Sequence, residues 1–284
     1  DTDKYDISMT IMDAAGSQRA QDDQVQEMIE DGCNVLCINL ADRTDLSHII
    51  NAAMEKDIPI IFFNREPVDE DLNRWDKLYY VGAKAKQSGQ MQGELIADYI
   101  KNNPGVDKNG DGRIQYVILE GEMGHQDAIV RTESVTESMK NNGLQIEKLS
   151  YQIANWNRAQ AQNRMTQLIG QYKNSIELVI ANNDAMALGA IDAYEKLGVT
   201  ESNVPAFFGV DGTDDGLEAV QQSKLAATVY NDKEGQARAM AQLAYLAATG
   251  GSMKNIKFED KKYVYLPYEK VTPDNVNEFV KDEQ

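Results

Sequence analysis

The chain has 284 residues and carries 46 acidic against 28 basic side chains, which gives a formal net charge of −18. This length allows a large buried core in one or two domains, and the negative charge disfavours nucleic acid and anionic membranes as partners. No apolar run is long enough to span a bilayer. The two cysteines, Cys33 and Cys37, are expected to be buried thiols on one face of a short strand, too far apart to form a disulfide.

Short apolar runs alternate with segments of helical periodicity along the chain. Strands are predicted at residues 7–12, 35–40, 58–63, 78–81, 114–119, 146–151, 178–181, 206–210 and 226–230. Helices are predicted at residues 24–30, 46–54, 89–100, 131–140, 165–172, 185–197 and 237–247. This alternation, with strands that lack polar residues, predicts parallel sheets covered by helices on both faces. The number of strands favours an α/β protein with two doubly wound lobes, and the first crossing between them is expected at residues 78–86.

Polar side chains follow six of the predicted strands at their carboxyl ends, where open parallel sheets bind ligands. They are Asn64, the run 125–127, Trp156, the run 182–184, Asp211 and the pair 231–232. Amides and carboxylates bind adjacent hydroxyls and an indole ring covers the C–H face of a sugar, so the set predicts a site for a neutral polyhydroxyl ligand. His125 is expected to face this site together with Asp127 and Arg131. A single strand-end Asn or Asp is more often a helix cap, but six such positions with an aromatic residue among them favour binding.

The segment Asp107–Gln115 has the pattern of a calcium loop whose last ligand is missing. Side-chain oxygens occupy loop positions 1, 3, 5 and 9, and Gly112 occupies position 6, where the chain turns sharply. Position 12 is Ile118 within a predicted strand, so the segment is not an EF-hand. Glu177 precedes the strand at 178–181, at the same amino edge of the sheet, where its carboxylate would complete a structural Ca²⁺ site. The alternative is an Asx-rich turn without a metal.

Together these motifs resemble those of the bacterial galactose/glucose-binding proteins, which are type I periplasmic solute-binding proteins, over nearly the whole chain. The matching stretches are 62–64, Asp107–Gln115, 124–127 with Arg131, Trp156, 179–184, 208–211 and 228–231. The resemblance implies two α/β lobes that are joined by a three-segment hinge and close on a hexose. It places residues 1–83 and 230–265 in an N-terminal lobe, and residues 84–229 and 266–284 in a C-terminal lobe that carries the calcium loop.

The resemblance also implies a role for each site residue. Hydrogen bonds to the sugar hydroxyls and ring oxygen would come from Asn64, His125, Asp127, Arg131, Asn183, Asp211 and Asn231. Trp156 would stack on one face of the sugar ring. The Ca²⁺ would be held by Asp107, Asn109, Asp111, the carbonyl oxygen of Arg113, Gln115 and Glu177.

One departure from the family concerns the start of the chain. Family members open with a strand that supplies an Asp and an aromatic ring to the sugar, followed by a helix. Here residues 5–12 align with the second strand of the family, and the first β-α unit is absent. Because loss of a central strand would expose two strand edges, the chain is expected to begin late or to receive this unit from elsewhere. Without that Asp, the sequence does not separate glucose from galactose.

The function implied is that of an extracytoplasmic binding protein for galactose or glucose, which delivers the sugar to an ABC permease. A chemoreceptor is a further candidate partner, and a monomer is expected, either in a periplasm or lipid-anchored on a monoderm cell. The alternative is a sugar-sensing regulator or receptor module of the same fold. A glycosidase would need Asp127, Asp184 and Asp211 as acid and base. Arg131 and the nearby amides are expected to keep these carboxylates charged, so no catalytic role is predicted.

Overall fold

The computed structural model of the protein describes residues 7–280. They form two compact units, the first made of residues up to Ala83 and of Lys233–Leu266, the second of Lys84–Asp232 and the residues from Pro267 onward. The helices are α1 (Gln18–Glu30), α2 (Ser47–Glu55), α3 (Asp69–Leu72), α4 (Ala85–Asn102), α5 (Gln126–Asn141), α6 (Arg158–Tyr172), α7 (Asp184–Leu197), α8 (Asp214–Gln221) and α9 (Lys233–Thr249). The strands are β1 (Leu36–Ile38), β2 (Ile60–Phe63), β3 (Leu78–Gly82), β4 (Ile114–Glu120), β5 (Ile146–Ile153), β6 (Leu178–Ala181), β7 (Ala206–Phe208), β8 (Thr228–Asn231), β9 (Tyr263–Tyr265) and β10 (Tyr268–Val271).

The first unit contains a parallel sheet in the order β1-β2-β3-β9. Alternate residues of β2 enter two different cores, as the two-residue period of a strand requires. Ile60 and Phe62 pack with residues of α1 and α2 on one face, whereas Ile61 packs with Leu243 of α9 on the other. Helices therefore cover both faces of the sheet.

The second unit contains a parallel sheet in the order β5-β4-β6-β7. Val117 of β4 and Val179 of β6 pack on one face with Met165 of α6 and Met186 of α7. The strand β4 comes first in the chain but lies inside the sheet, so the strand order reverses between β4 and β6. This reversal is the switch point at which doubly wound sheets open a crevice for ligands.

The strand β8 continues the ligand-facing edge of the second unit. It pairs antiparallel with β10, and isolated parallel bridges join Ala227 to Phe208 and Tyr230 to Asp211. The two units with their parallel sheets confirm the predicted α/β fold class, with helices on both faces of the first sheet and a switch point in the second. None of the helices within residues 7–280 combines the length and the apolar composition that crossing a membrane requires.

The predicted strand at residues 7–12 is wrong. Among the described residues this segment pairs with no strand, and Ile7, Met9 and Ile11 are 45%, 72% and 80% exposed. An alternating apolar pattern becomes a strand only where a neighbouring strand satisfies its backbone groups. The short strand β9 and the antiparallel strand β10 were not predicted.

The expected burial of both cysteines on one strand is also wrong. Cys33 precedes β1 and is half-buried, while Cys37 lies within β1 and is exposed. Cys37 points away from Leu36 and Ile38, which are the residues of β1 that enter the core. Both thiols are free.

Candidate functional site

Seven of the eight residues predicted to contact a sugar lie in the second unit, at the carboxyl ends of its strands. His125 and Asp127 follow β4, Trp156 follows β5, and Asn183 follows β6. Asp211 follows β7 and Asn231 ends β8, while Arg131 reaches the same edge from α5. The eighth residue, Asn64, follows β2 in the first unit, where its side-chain amide donates to Asn39 Oδ1 at 3.3 Å.

Arg131 is the central cation of this edge and is only 5% exposed. Its Nη1 donates to the carbonyl oxygen of Asn182 at 2.8 Å and lies 3.5 Å from Asp211 Oδ1. Its Nη2 donates to the hydroxyl of Tyr268 at 3.0 Å. The Nε donor is buried and has no hydrogen-bond partner within the described part of the chain. Buried donors in native proteins are almost always paired, so this one indicates a place for an acceptor from outside the chain.

Trp156 has an unusual backbone conformation, and its ring fits only because position 121 is a glycine. Both Asn155 and Trp156 have positive φ, 52° and 61°, a conformation that costs energy in residues other than glycine. A Cβ atom on Gly121 would lie 2.2 Å from the indole ring, so only glycine leaves room for it there. The ring meets the His125 ring edge-on at 5.1 Å, and the Arg131 guanidinium lies 5.8 Å from its centre. The half-buried indole is therefore fixed beside the cation.

His125 and Asn183 begin helices as well as facing the site. His125 caps α5, and its Nδ1 accepts from the backbone N–H of Asp127 at 3.2 Å, which leaves the proton of the neutral ring on Nε2. Asn183 caps α7 through its Oδ1, and its amide donates to the carbonyl of Trp156 at 3.4 Å. The capping interpretation and the binding interpretation thus describe the same two residues, because the cap fixes the direction of each side chain.

Asp211 contacts the Arg131 guanidinium with its side chain and strand β8 with its backbone. Its backbone has φ 114°, and its carbonyl accepts from the backbone N–H of Asn231 at 2.9 Å. Burial raises the pKa of the Asp211 carboxyl, an effect that the neighbouring Arg131 opposes. Burial also raises the pKa of Asp184 to about 7. Arg131 thus favours the charged form of Asp211, as expected, but the expectation that no carboxyl of this edge has a raised pKa is wrong, because removal from water outweighs the favourable partners.

Three residues of this edge had no predicted contact role. Asn182 is fully buried, and its Oδ1 accepts from the backbone N–H of Gly121 at 3.1 Å. Tyr268 is 3% exposed and bonds Arg131 across 137 residues of chain. Asp184 is fully buried at the start of α7. Only Asn182 and Asp184 carried a signal in the sequence, as part of the polar run after a strand.

The predicted calcium loop lies at the opposite, amino end of β4 and closes on itself. Asp107 accepts from the backbone N–H groups of Gly110 at 2.7 Å and Gly112 at 2.9 Å. Asp111 accepts from the side-chain amide of Gln115 at 2.9 Å, and Asn109 donates to Gln115 Oε1 at 3.0 Å. Three of the four predicted side-chain ligands of the loop, Asn109, Asp111 and Gln115, thus contact one another, while Asp107 binds the loop backbone.

Glu177 joins this loop from the start of β6, as predicted from its position. It is 1% exposed, and its carboxylate accepts from the backbone N–H groups of Lys108 at 2.6 Å and Gln115 at 3.0 Å. The charge of Glu177 acts on the nearby Lys108 ammonium, where it opposes the lowering of the Lys108 pKa by burial. Within residues 7–280 no group of three or more His, Cys, Asp or Glu is arranged as a metal site. A buried carboxylate that accepts backbone hydrogen bonds, beside oxygen atoms of acids and amides, fits Ca²⁺ in its chemistry.

Comparison with known proteins identifies the family. A model described as a periplasmic binding protein domain matches residues 2–252. The chain belongs to the periplasmic binding protein family. It is 39% identical, over 97% of its length and 83% of the relative's, to the D-galactose/methyl-galactoside binding periplasmic protein of Haemophilus influenzae. The predicted resemblance to galactose/glucose-binding proteins is thereby confirmed.

Solved structures support the family assignment. A solute binding protein of an ABC transporter from Bacillus halodurans, with bound myo-inositol, has a TM-score of 0.82 and 30% identity, over 98% of this chain and 88% of that one. A periplasmic solute binding protein from Actinobacillus succinogenes, with bound D-allose, also reaches a TM-score of 0.82, over 98% and 91% of the two chains. At 20% identity the second likeness shows the fold alone.

Proposed function

We propose that the protein is an extracytoplasmic binding protein for a hexose, D-galactose or D-glucose, in an ABC-type uptake system. The observation that carries this proposal is the buried Arg131, whose Nε has no hydrogen-bond partner among residues 7–280 and whose guanidinium lies near both the Trp156 ring and the Asp211 carboxyl. A guanidinium, a carboxylate and an indole are the groups that bind the ring oxygen, adjacent hydroxyls and C–H face of a sugar. The 39% identical relative is named for galactoside binding, which supports a galactose-type ligand.

The proposed roles within the site are those that the family resemblance implies. Trp156 stacks on the sugar, and Arg131 Nε donates to a sugar oxygen. The remaining polar contacts come from Asn64, His125, Asp127, Asn183, Asp211 and Asn231. The ring of His125 carries its proton on Nε2 and donates from there.

The raised pKa of Asp184 does not turn the site into a glycosidase. A general acid must reach the glycosidic oxygen, within hydrogen-bond distance. Asp184 is fully buried and both its oxygens accept from Thr213 and Thr228. In the proposed function the protein therefore binds its sugar without catalysis, as a solute-binding protein does.

A structural Ca²⁺ belongs to the same proposal. Its ligands would be Asp107, Asn109, Asp111, the Arg113 carbonyl, Gln115 and Glu177. The support is the buried Glu177 carboxylate, which accepts backbone hydrogen bonds from the oxygen-rich loop. The ion would stabilise the amino end of β4 and take no part in sugar contacts.

The proposed partners are a sugar and a membrane permease. The protein would act as a monomer, free in a periplasm or anchored at the cell surface, and would hand its sugar to an ABC permease. A chemoreceptor that reads the sugar-bound form is a further proposed partner. The net charge of −18 supports the absence of nucleic acid from this set.

Isothermal titration calorimetry with a panel of small sugars tests the ligand. The panel contains D-galactose, D-glucose, D-allose, D-ribose and myo-inositol, the last because a 30% identical relative binds it. We expect saturable binding of galactose or glucose that is tighter than that of the other members. Tighter binding of myo-inositol would replace the hexose by a cyclitol, and no binding of any member would overturn the proposal.

A further inference from the structure

One buried carboxylate of the second unit has no part in the proposed sugar contacts. Asp184 is 0% exposed, and its oxygens accept three hydrogen bonds. Its Oδ2 accepts from the backbone N–H of Thr213 at 2.8 Å and from the Thr213 hydroxyl at 3.3 Å. Its Oδ1 accepts from the Thr228 hydroxyl at 2.6 Å. The side chain thus ties the start of α7 to the turn after β7 and to the start of β8.

Each of these three segments carries a residue of the proposed sugar site. Asn183 directly precedes Asp184, Asp211 lies two residues before Thr213, and Asn231 ends the strand that Thr228 begins. The backbone strengthens the same junction, because the N–H of Asp184 donates to the carbonyl of Val210 at 2.7 Å. One carboxylate therefore sets the spacing of three sugar-facing positions.

The surroundings of Asp184 are shaped to admit a carboxylate. A Cβ atom on Gly209 would lie 2.2 Å from its Oδ1, and a Cβ on Gly216 would lie 2.3 Å from its Oδ2. Real Cβ atoms do not approach oxygen so closely, so both positions must be glycine while Asp184 is present. Two glycines on separate segments thus accommodate a single side chain.

The carboxylate has hydrogen bonds but no cation. No ion pair to Asp184 occurs within residues 7–280. Burial raises the pKa of Asp184 to about 7, and the like charge of Asp211 raises it as well. A buried acid without a cation is a costly way to hold three segments, and groups of this kind concentrate at functional sites.

We propose that Asp184 is a positioning residue for the sugar: its carboxylate holds Asn183, Asp211 and Asn231 at the spacing that the ligand requires. This inference rests on the proposed function. Asp184 touches no sugar atom itself and acts through the three segments that it joins. Its loss should therefore weaken binding while leaving the Trp156 stack in place.

The test compares Asp184→Asn with Asp192→Asn by calorimetry with D-galactose and D-glucose at pH 8, above the raised pKa of Asp184. Asp192 lies eight residues further along the same helix and pairs with the exposed Arg158. We expect Asp184→Asn to weaken binding about tenfold, as for a lost charged hydrogen-bond acceptor, and Asp192→Asn to change it less than about twofold. If the wild-type protein binds neither sugar, the proposed function fails. If it binds and Asp184→Asn binds equally well, only the positioning role fails.

A double-mutant cycle separates positioning from a general loss of structure. Asn231→Ala should weaken wild-type binding about tenfold but cost less than about threefold in the Asp184→Asn background, because residues that act as a unit are not additive. Additive losses would overturn the positioning role. Should Asp184→Asn fail to fold, Thr228→Val removes only the donor to Oδ1 at nearly constant volume, and the same cycle with Asn231→Ala applies.

Discussion

The two ends of the sheet in the second unit use the same residue types in opposite ways. At the amino end, the Asp107–Gln115 loop and Glu177 satisfy one another through short hydrogen bonds. At the carboxyl end, the buried Nε of Arg131 has no hydrogen-bond partner in the described part of the chain, and burial raises the pKa of Asp211. The first arrangement is closed and suits a static structural role. The second leaves a hydrogen-bond donor that a ligand can use. The following predictions test this contrast.

The largest effect is expected from Arg131→Ala at the carboxyl end. Removal of the guanidinium leaves Asp211 half-buried and unpaired, which should lower the free energy of unfolding by about 3–5 kcal/mol and abolish sugar binding. Urea denaturation and calorimetry measure the two quantities. The matched control is Arg158→Ala, whose side chain is 46% exposed and which should cost no more than about 1 kcal/mol. Equal costs for the two variants would show that the carboxyl end is not organised by a buried charge.

Removal of Ca²⁺ is the corresponding test at the amino end. Saturating Ca²⁺ at about 100 times its Kd should raise the free energy of unfolding by about 2.7 kcal/mol relative to EDTA. Because the two ends are separate, this difference should be the same with and without galactose. Glu177→Gln should remove it, whereas Glu201→Gln, at an exposed position, should retain it. A Ca²⁺ effect that survives Glu177→Gln would contradict the proposed ligand set.

The pH dependence of stability tests the buried Asp184. Its carboxyl is deprotonated in the unfolded chain above about pH 4 but keeps its proton in the folded protein up to about pH 7. The folded state thus binds the extra proton, and this group lowers stability as the pH rises from 5 to 7. Asp184→Asn lacks this slope, so its stability relative to wild type should improve by about 2–3 kcal/mol between pH 5 and pH 8. Chemical denaturation at each pH measures both stabilities. If the stabilities of wild type and Asp184→Asn changed in parallel with pH, the raised pKa of Asp184 would be contradicted.

The two tryptophans provide the smallest and most selective contrast. Trp156→Ala should weaken sugar binding about 30-fold, or about 2 kcal/mol, because it removes the stacked ring. Trp75, which packs on the core of the first unit, should show the opposite behaviour. Trp75→Ala should lower the melting temperature more than Trp156→Ala does and leave the galactose Kd nearly unchanged. Identical effects of both variants on the Kd would remove Trp156 from the binding site.

The local features could be predicted from the sequence, whereas the long-range ones could not. The apolar runs of β2 to β8 and the spacing within Asp107–Gln115 are contained in a few consecutive residues. Glu177 was found because parallel strands share an amino edge. By contrast, the contact of Tyr268 with Arg131 joins two segments 137 residues apart and leaves no periodic signal. The hydrogen bonds of Asp184 could not be predicted for the same reason, because its partners Thr213 and Thr228 lie on other segments of the chain.

The errors have a physical origin as well. The pattern of residues 7–12 contains apolar alternation but no information on whether a partner strand is present. The pKa shifts of Asp184 and Asp211 depend on how completely the folded chain removes water, which nearest neighbours in the sequence do not reveal. Strand β10 was missed because it has only four residues and the two in its middle, Glu269 and Lys270, are charged.

The contact between Gly121 and the Trp156 ring has a consequence for the evolution of this protein. Any side chain at position 121 would occupy the space of the indole, so the glycine cannot change while the tryptophan stays. Descendants that exchange the tryptophan for a smaller residue would release this restriction and could then place new chemistry at position 121, against the ligand. The pair is thus a single mutational unit, and ligand preference along this lineage should change through paired substitutions at 121 and 156.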